Sequence, residues 1–304
     1  MSTLSFAPRG LTWAFFRLHR ASLLFFGGCF LAFVGFEIYT YRVGIDPEQT
    51  GNVCGPLDPS CHLSLGIYSR DYYNLLLVSE AVLAYLPLVL AAYIGGAVIA
   101  RELESGTAAL AWTQSVTPVR WLAAKLAWPA LLTTLGMTVL LLLHWWVRTE
   151  TGPAGREWYG ADTFRATGPV GLAWVLCALA VGAFCGLVLK RTLPALGAAV
   201  AVMVAANWLT NVHRWKLWPS VSRYESEYSS VGSTSLQLEN RSWDAAGREV
   251  PWMGEGWGSA VRHYREFQPR SHFWPIQWVE SGLALALAGA LTLACFWLLR
   301  RRTP

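Results

Sequence analysis

The sequence predicts an all-α polytopic membrane protein with six transmembrane helices and both termini in the cytoplasm (N-in/C-in), an N-terminal amphipathic interfacial helix and a long extracellular segment before the last helix. Three observations predict it. Of 304 residues, 54% are hydrophobic and only 14% charged, against about 25% charged in a soluble domain. The apolar residues fall in blocks long enough to cross a bilayer, and the 17 Trp and 11 Tyr crowd the block ends as aromatic belts do. The basic residues flank those blocks unevenly.

The chain reads as a single transmembrane domain, 1–304, and its blocks are 21–39, 73–100, 121–147, 168–189, 193–209 and 276–299. At about 1.5 Å per residue, roughly 20 helical residues cross a core about 30 Å thick, which the fifth block only just meets. A segment isolated in lipid must close its own backbone hydrogen bonds, so each block is helical. None shows the dyad alternation of a transmembrane barrel. Orientation follows from the flanks: Arg17, Arg20, Arg101, Arg120, Lys125, Lys190, Arg191 and Arg300 to Arg302 share one side, opposed there only by Glu102 and Glu104. Acids offset the arginines on the other side, so the basic side is cytoplasmic.

Residues 1–20 place Leu11, Trp13, Phe15, Phe16 and Leu18 among Arg17, His19 and Arg20. That pattern fits a helix lying in the inner headgroup region, the alternative being a plain continuation of the first span. The following apolar run is too long for a signal h-region and no A-x-A site closes it. The segment 211–275 is the largest polar stretch and lies outside; its dense aromatics suggest a folded cap, ending in a short amphipathic run, 261–267. In the first outer loop, Cys54 and Cys61 bracket Gly55, Pro56 and Pro59, so a disulfide is open to them in an oxidising exterior, and two free thiols is the alternative. Cys29, Cys177, Cys185 and Cys295 fall within spans, where Cys acts as a small apolar residue.

The net charge of +5 does not point to nucleic acid, because the basic residues border apolar blocks instead of forming one basic face; lipid is the partner they suit. No metal-ligand spacing, hydrolase motif or phosphate loop is present: Gly186 to Thr192 has the wrong spacing for a Walker A sequence. Three acids fall inside spans, Glu37, Glu80 and Glu280, where each is expensive. They either line a vestibule for a cationic molecule or pair with arginines and snorkel to the headgroups. His144, beside Trp145 and Trp146, reads as interfacial. Gly182-x-x-x-Gly186 permits close helix approach, within the bundle or at a dimer seam.

The loop 101–120 joins the second and third spans. Its run Arg101-Glu102-Leu103-Glu104-Ser105-Gly106-Thr107 gives acids and then a turn, and Leu110-Ala111-Trp112-Thr113-Gln114 gives a short mixed helix before Pro118. A helix that short is stable only when packed on something, or it is an ordinary connection. This run, with Pro87 and Gly95-Gly96-Ala97 before it and Gln268 to Glu280 before the last span, resembles the permease subunits of bacterial type-two ABC exporters. The resemblance implies a coupling helix in which Arg101, Glu102, Glu104, Gly106, Thr107, Trp112 and Gln114 meet a separate ATPase subunit. ATP and Mg would be bound there and none by this chain, which would be no enzyme itself. It further implies a second permease copy, the same or similar, in a bacterial plasma membrane, and Glu102 paired with Arg17 or Arg20. The cargo would pass between the second and fifth spans, with Glu80, Tyr85, Asn207 and Glu280 as pathway candidates. Two rival readings remain: a membrane enzyme acting on a lipid-linked substrate through Glu37, Glu80, Glu280 and His144, and a non-catalytic scaffold.

Overall fold

A computed structural model describes residues 17, 20–45, 70–113, 116–152, 157–226, 235–251 and 259–302. Most of the amphipathic segment 1–20, the loop carrying Cys54 and Cys61, and Gln114 lie outside the described residues.

Six helices are long and apolar enough to cross a membrane. The first span is α1, Arg20–Ile45. The second is one rod, Arg70–Glu104, built from α2 (Arg70–Ala92), a π-helical stretch Tyr93–Ala100 and α3 (Arg101–Glu104). After the short α4 (Thr107–Thr113) comes the third span, α5 (Pro118–Thr151). A six-residue helix, α6 (Ala161–Ala166), leads to the fourth span, α7 (Pro169–Leu189), and the fifth, α8 (Thr192–His213). The sixth is α9 (Phe273–Arg302). The helices run past the apolar blocks because their last turns are polar and aromatic: arginines, tryptophans and threonines that leave the apolar core without breaking the backbone ladder.

The fourth span is the hub. It packs on the second, third, fifth and sixth spans, and Val175, Cys177, Ala178 and Ala183 along it are fully buried. Close approach to the second span needs glycine: a Cβ on Gly182 would stand 2.4 Å from the Ala91 carbonyl oxygen, and one on Gly186 would stand 2.7 Å from that of Gly95. Gly182-x-x-x-Gly186 therefore serves packing inside the bundle. The π-helical turn lies at this seam, where Gly95 and Gly96 admit the neighbouring backbone.

The expectation of an all-α chain is corrected. Residues after the fifth span form a four-stranded antiparallel sheet, β1 (Val221–Glu225), β2 (Leu236–Asp244), β3 (Glu249–Val250) and β4 (Ala260–Gln268), in the order β1-β4-β2-β3. The amphipathic run 261–267 is thus an inner strand. Its buried face carries His263, Arg265 and Phe267, so the period of two is real but not hydrophobic. Gln268 ties the sheet to the bundle: its amide donates to the carbonyls of Trp215 at 3.0 Å and Trp218 at 2.9 Å, and its Oε1 meets His272 Nδ1 at 2.6 Å.

Candidate functional site

Two layers of polar residues stand at opposite ends of the bundle. At the end away from the sheet, α3, Gly106 and α4 form a knuckle. The backbone N–H of Ser105 closes α3 on the Arg101 carbonyl at 3.0 Å, and Gly106 turns the chain at φ 74°. A side chain there would be strained, which explains the glycine. Thr117 then caps α5 and Pro118 opens it, where a missing N–H costs nothing.

Both acids of the knuckle are fastened to neighbouring spans. Glu102 accepts from Lys125 Nζ at 2.5 Å on one oxygen and from Trp121 Nε1 at 3.0 Å on the other. Glu104 accepts from the backbone N–H of Thr192 at 2.8 Å and from its hydroxyl at 2.5 Å, capping the fifth span. The pairing implied for Glu102 with Arg17 or Arg20 is corrected: both its oxygens are taken up by the third span. Lys125 is nearly buried on a packed helix, at a fixed distance, whereas Arg17 and Arg20 sit exposed at the start of the first span. Thr107 shares a hydrogen bond with Ser105 at 3.0 Å, and Trp112 packs edge-on against Trp121, centroids 5.7 Å apart. Arg101 and Leu110 face outward. A recess of about 200 Å³ separates the knuckle from the end of the sixth span, lined by Leu103, Gly106, Trp112, Leu298 and Leu299 with Lys190 at its edge.

At the sheet end the intramembrane acids are brought together with arginines. Glu80 is wholly buried, paired with Arg148 and accepting from the Thr163 hydroxyl at 2.6 Å. His144 Nδ1 lies 3.1 Å from Glu37 Oε1, and its Nε2 is 4.0 Å from Glu80. Glu280 accepts from Arg214 Nε at 2.7 Å and Nη2 at 3.2 Å, and from Trp174 Nε1 at 2.9 Å. Arg214 also lies 4.5 Å above the Phe164 ring. Pairing with arginines therefore holds for Glu80 and Glu280, and snorkelling does not. The interfacial reading of His144 is corrected as well: it is 0% exposed, because helix packing turns it inward onto the two acids while Trp145 and Trp146 face out.

The cationic-vestibule reading of Glu80 and Glu280 loses its chemistry, since every oxygen of both is engaged. The other two pathway candidates are placed differently. Tyr85 is exposed on the side of the second span; Asn207, half-buried on the fifth, accepts from Asn211 Nδ2 at 2.9 Å through its side chain. Between them lies Arg165 of α6, a residue the sequence reading did not single out. Its Nη2 donates to the Thr210 hydroxyl at 2.8 Å and the Asn207 carbonyl at 3.4 Å. Among the described residues its Nε and Nη1 have no partner, although the residue is 2% exposed. Burial, and then the Arg214 charge, push its pKa down to about 10, against the pull of Glu280 and Asp162. The signal in the sequence was positional: Arg148, Arg165 and Arg214 sit at the span ends that the basic bias should leave poor in arginine.

A lateral recess of about 440 Å³ between the first three spans is lined by Phe26, Phe30, Leu86, Tyr93 and Met137 among others, and among the described residues no charged side chain lines it. Among the described residues no group of His, Cys, Asp and Glu could hold a metal ion.

The family model for "ABC-2 membrane transporter related" proteins matches residues 28–214. No curated protein and no solved structure matches the chain.

Proposed function

The chain belongs to the ABC-2 membrane transporter related family, and from that premise we propose that it is the permease subunit of an exporter of a small molecule, driven by a separate ATPase subunit. The observation that carries this reading is the knuckle. A seven-residue helix, too short to persist alone, follows the turn at Gly106, is tied back by the Thr107 hydroxyl to the Glu102 carbonyl at 3.3 Å, rests Trp112 edge-on against Trp121 of the third span, and leaves Leu110 exposed. Force applied to α4 reaches the third span through Trp112 and the end of the second span through the Gly106 turn, and from there Glu102 and Glu104 pass it to the third and fifth spans. Such an element suits transmission from a docked partner better than it suits a passive connection.

In this reading the knuckle and both termini are cytoplasmic and the sheet is extracellular, as the arginine flanks favour. ATP and Mg are held by the partner, and a second permease copy completes the translocation path in a bacterial plasma membrane. The rival enzyme reading has little to stand on, because Glu80 and Glu280 are saturated by internal bonds and Glu37 and His144 pair with each other at 3.1 Å, both 0% exposed inside the packed helices and out of a substrate's reach.

The test uses the double variant Glu102→Gln with Gly106→Val. It should insert and fold yet lose the stimulation of ATPase turnover that the intact permease gives its partner, and lose efflux. Unchanged stimulation and efflux would remove the docking role.

A further inference from the structure

Arg165 differs from the other arginines of the sheet-end layer. Arg148 and Arg214 each face a buried glutamate, whereas Arg165 makes no ion pair among the described residues. Glu280 is too committed to help, since its two oxygens already accept three bonds from Arg214 and Trp174. Asp162, a partly exposed residue on the same short helix, acts on Arg165 through space without contact. Arg214, Glu280 and Arg165 together carry one positive charge more than they neutralise. A guanidinium buried with the hydrogens of Nε and Nη1 unused is costly, and a chain tolerates it where a ligand completes the set.

The surroundings define that ligand. Its charge must be negative and its acceptors oxygen, because only N–H donors are offered. Tyr85 on the second span, and Asn207 and Thr210 on the fifth, border the site. Val89 on the second span and Val204 and Trp208 on the fifth expose apolar surface, against which the hydrophobic body of a ligand with its head at Arg165 would lie. We propose that Arg165 binds the phosphate or carboxylate head of an anionic amphipathic molecule, and that this molecule is the exported cargo. The assignment as cargo rests on the exporter reading; the anion site does not.

The test is thermal unfolding of the full chain in phosphatidylcholine nanodiscs, titrated with dodecyl phosphate or with dodecyltrimethylammonium as a cation of equal tail. Dodecyl phosphate should raise the midpoint of the wild type saturably, the cation should not, and Arg165→Gln should lose the shift. An equal shift in wild type and Arg165→Gln, or the same shift from both amphiphiles, overturns the site. Should Arg165→Gln not fold, Arg165→Lys keeps the charge without the planar donors and should weaken apparent affinity about tenfold; undiminished affinity overturns the site. Discs of phosphatidylglycerol separate the two sources of anion: a dodecyl phosphate shift that persists there supports cargo, and one already saturated by the bilayer assigns the site to a lipid headgroup and overturns the cargo assignment. No ATPase subunit is needed for these readings. An anion shift in a chain that engages no ATPase would remove the exporter reading alone, and a docked ATPase with no anion shift would remove the site alone.

Discussion

The two ends of the bundle use glutamate in opposite ways. At the knuckle, Glu104 is exposed and Glu102 half-buried, and each joins the end of the second span to a neighbouring span. At the sheet end, Glu80 and Glu280 are sealed among helices and neutralise arginines that would otherwise stand alone in an apolar layer. Exposure decides the role. A wet pair contributes at most about 1 kcal/mol and fixes geometry; a buried pair adds little when whole but is very costly to break. In the proposed reading, one end moves with a partner and the other holds still.

Breaking the rigid end should have the largest effect. Glu280→Ala strands Arg214 and should cost about 3–5 kcal/mol of stability in denaturant unfolding from detergent; a loss below about 1 kcal/mol would mean the pair is hydrated. Gly182→Val drives a side chain into the second span's backbone and should cost about 1–3 kcal/mol, with lowered folded yield as the readout.

Arg165→Met should act in the other direction. The Arg165 pKa of about 10 lies below the ordinary 12.5, so at neutral pH the residue is charged in both folded and unfolded chains and the full burial penalty is present. That penalty is relieved as pH rises through 10. In the absence of anion, Arg165→Met should gain on the order of 1–2 kcal/mol, after losing the bonds to Thr210 and Asn207. The rise in wild-type stability above about pH 10 should vanish in the variant.

Glu102→Gln takes the opposing charge from the nearly buried Lys125 and should cost about 1–3 kcal/mol in unfolding, less than Glu280→Ala, while lowering coupling to the ATPase, which sharpens the contrast with Glu280. The smallest effect lies in the sheet. Asp244 is held below its ordinary value of 3.8 by bonds from the Arg248 backbone and side chain. A depressed carboxylate stabilises above its unfolded pKa and loses that contribution as pH falls. Protection of the β2–β3 turn amides, taken relative to their intrinsic exchange rates at each pH, should therefore fall below about pH 4, and not in Asp244→Asn.

The helices were legible because lipid imposes length and apolarity on each segment by itself, so 168–189 reads as a span without reference to any other residue. The sheet was not, because β4 buries His263 and Arg265, and no hydrophobic alternation marks it. The charge layer was half legible. Glu80 and Glu280 stand out as acids in apolar blocks, but their arginines lie 68 and 66 residues away in the chain and are found only by folding it. Glu102 shows the opposite failure: a partner taken from a resemblance gave way to Lys125, which the antiparallel turn brings alongside.

Whether α4 touches an ATPase can be read by placing a photo-crosslinking amino acid at Leu110, 59% exposed on the knuckle, in the host membrane. Illumination should yield one covalent adduct with an ATP-binding polypeptide, lost when the probe is moved to Val261 on the sheet. An adduct with that polypeptide from Val261 and none from Leu110 would invert the protein in the membrane and end the coupling assignment.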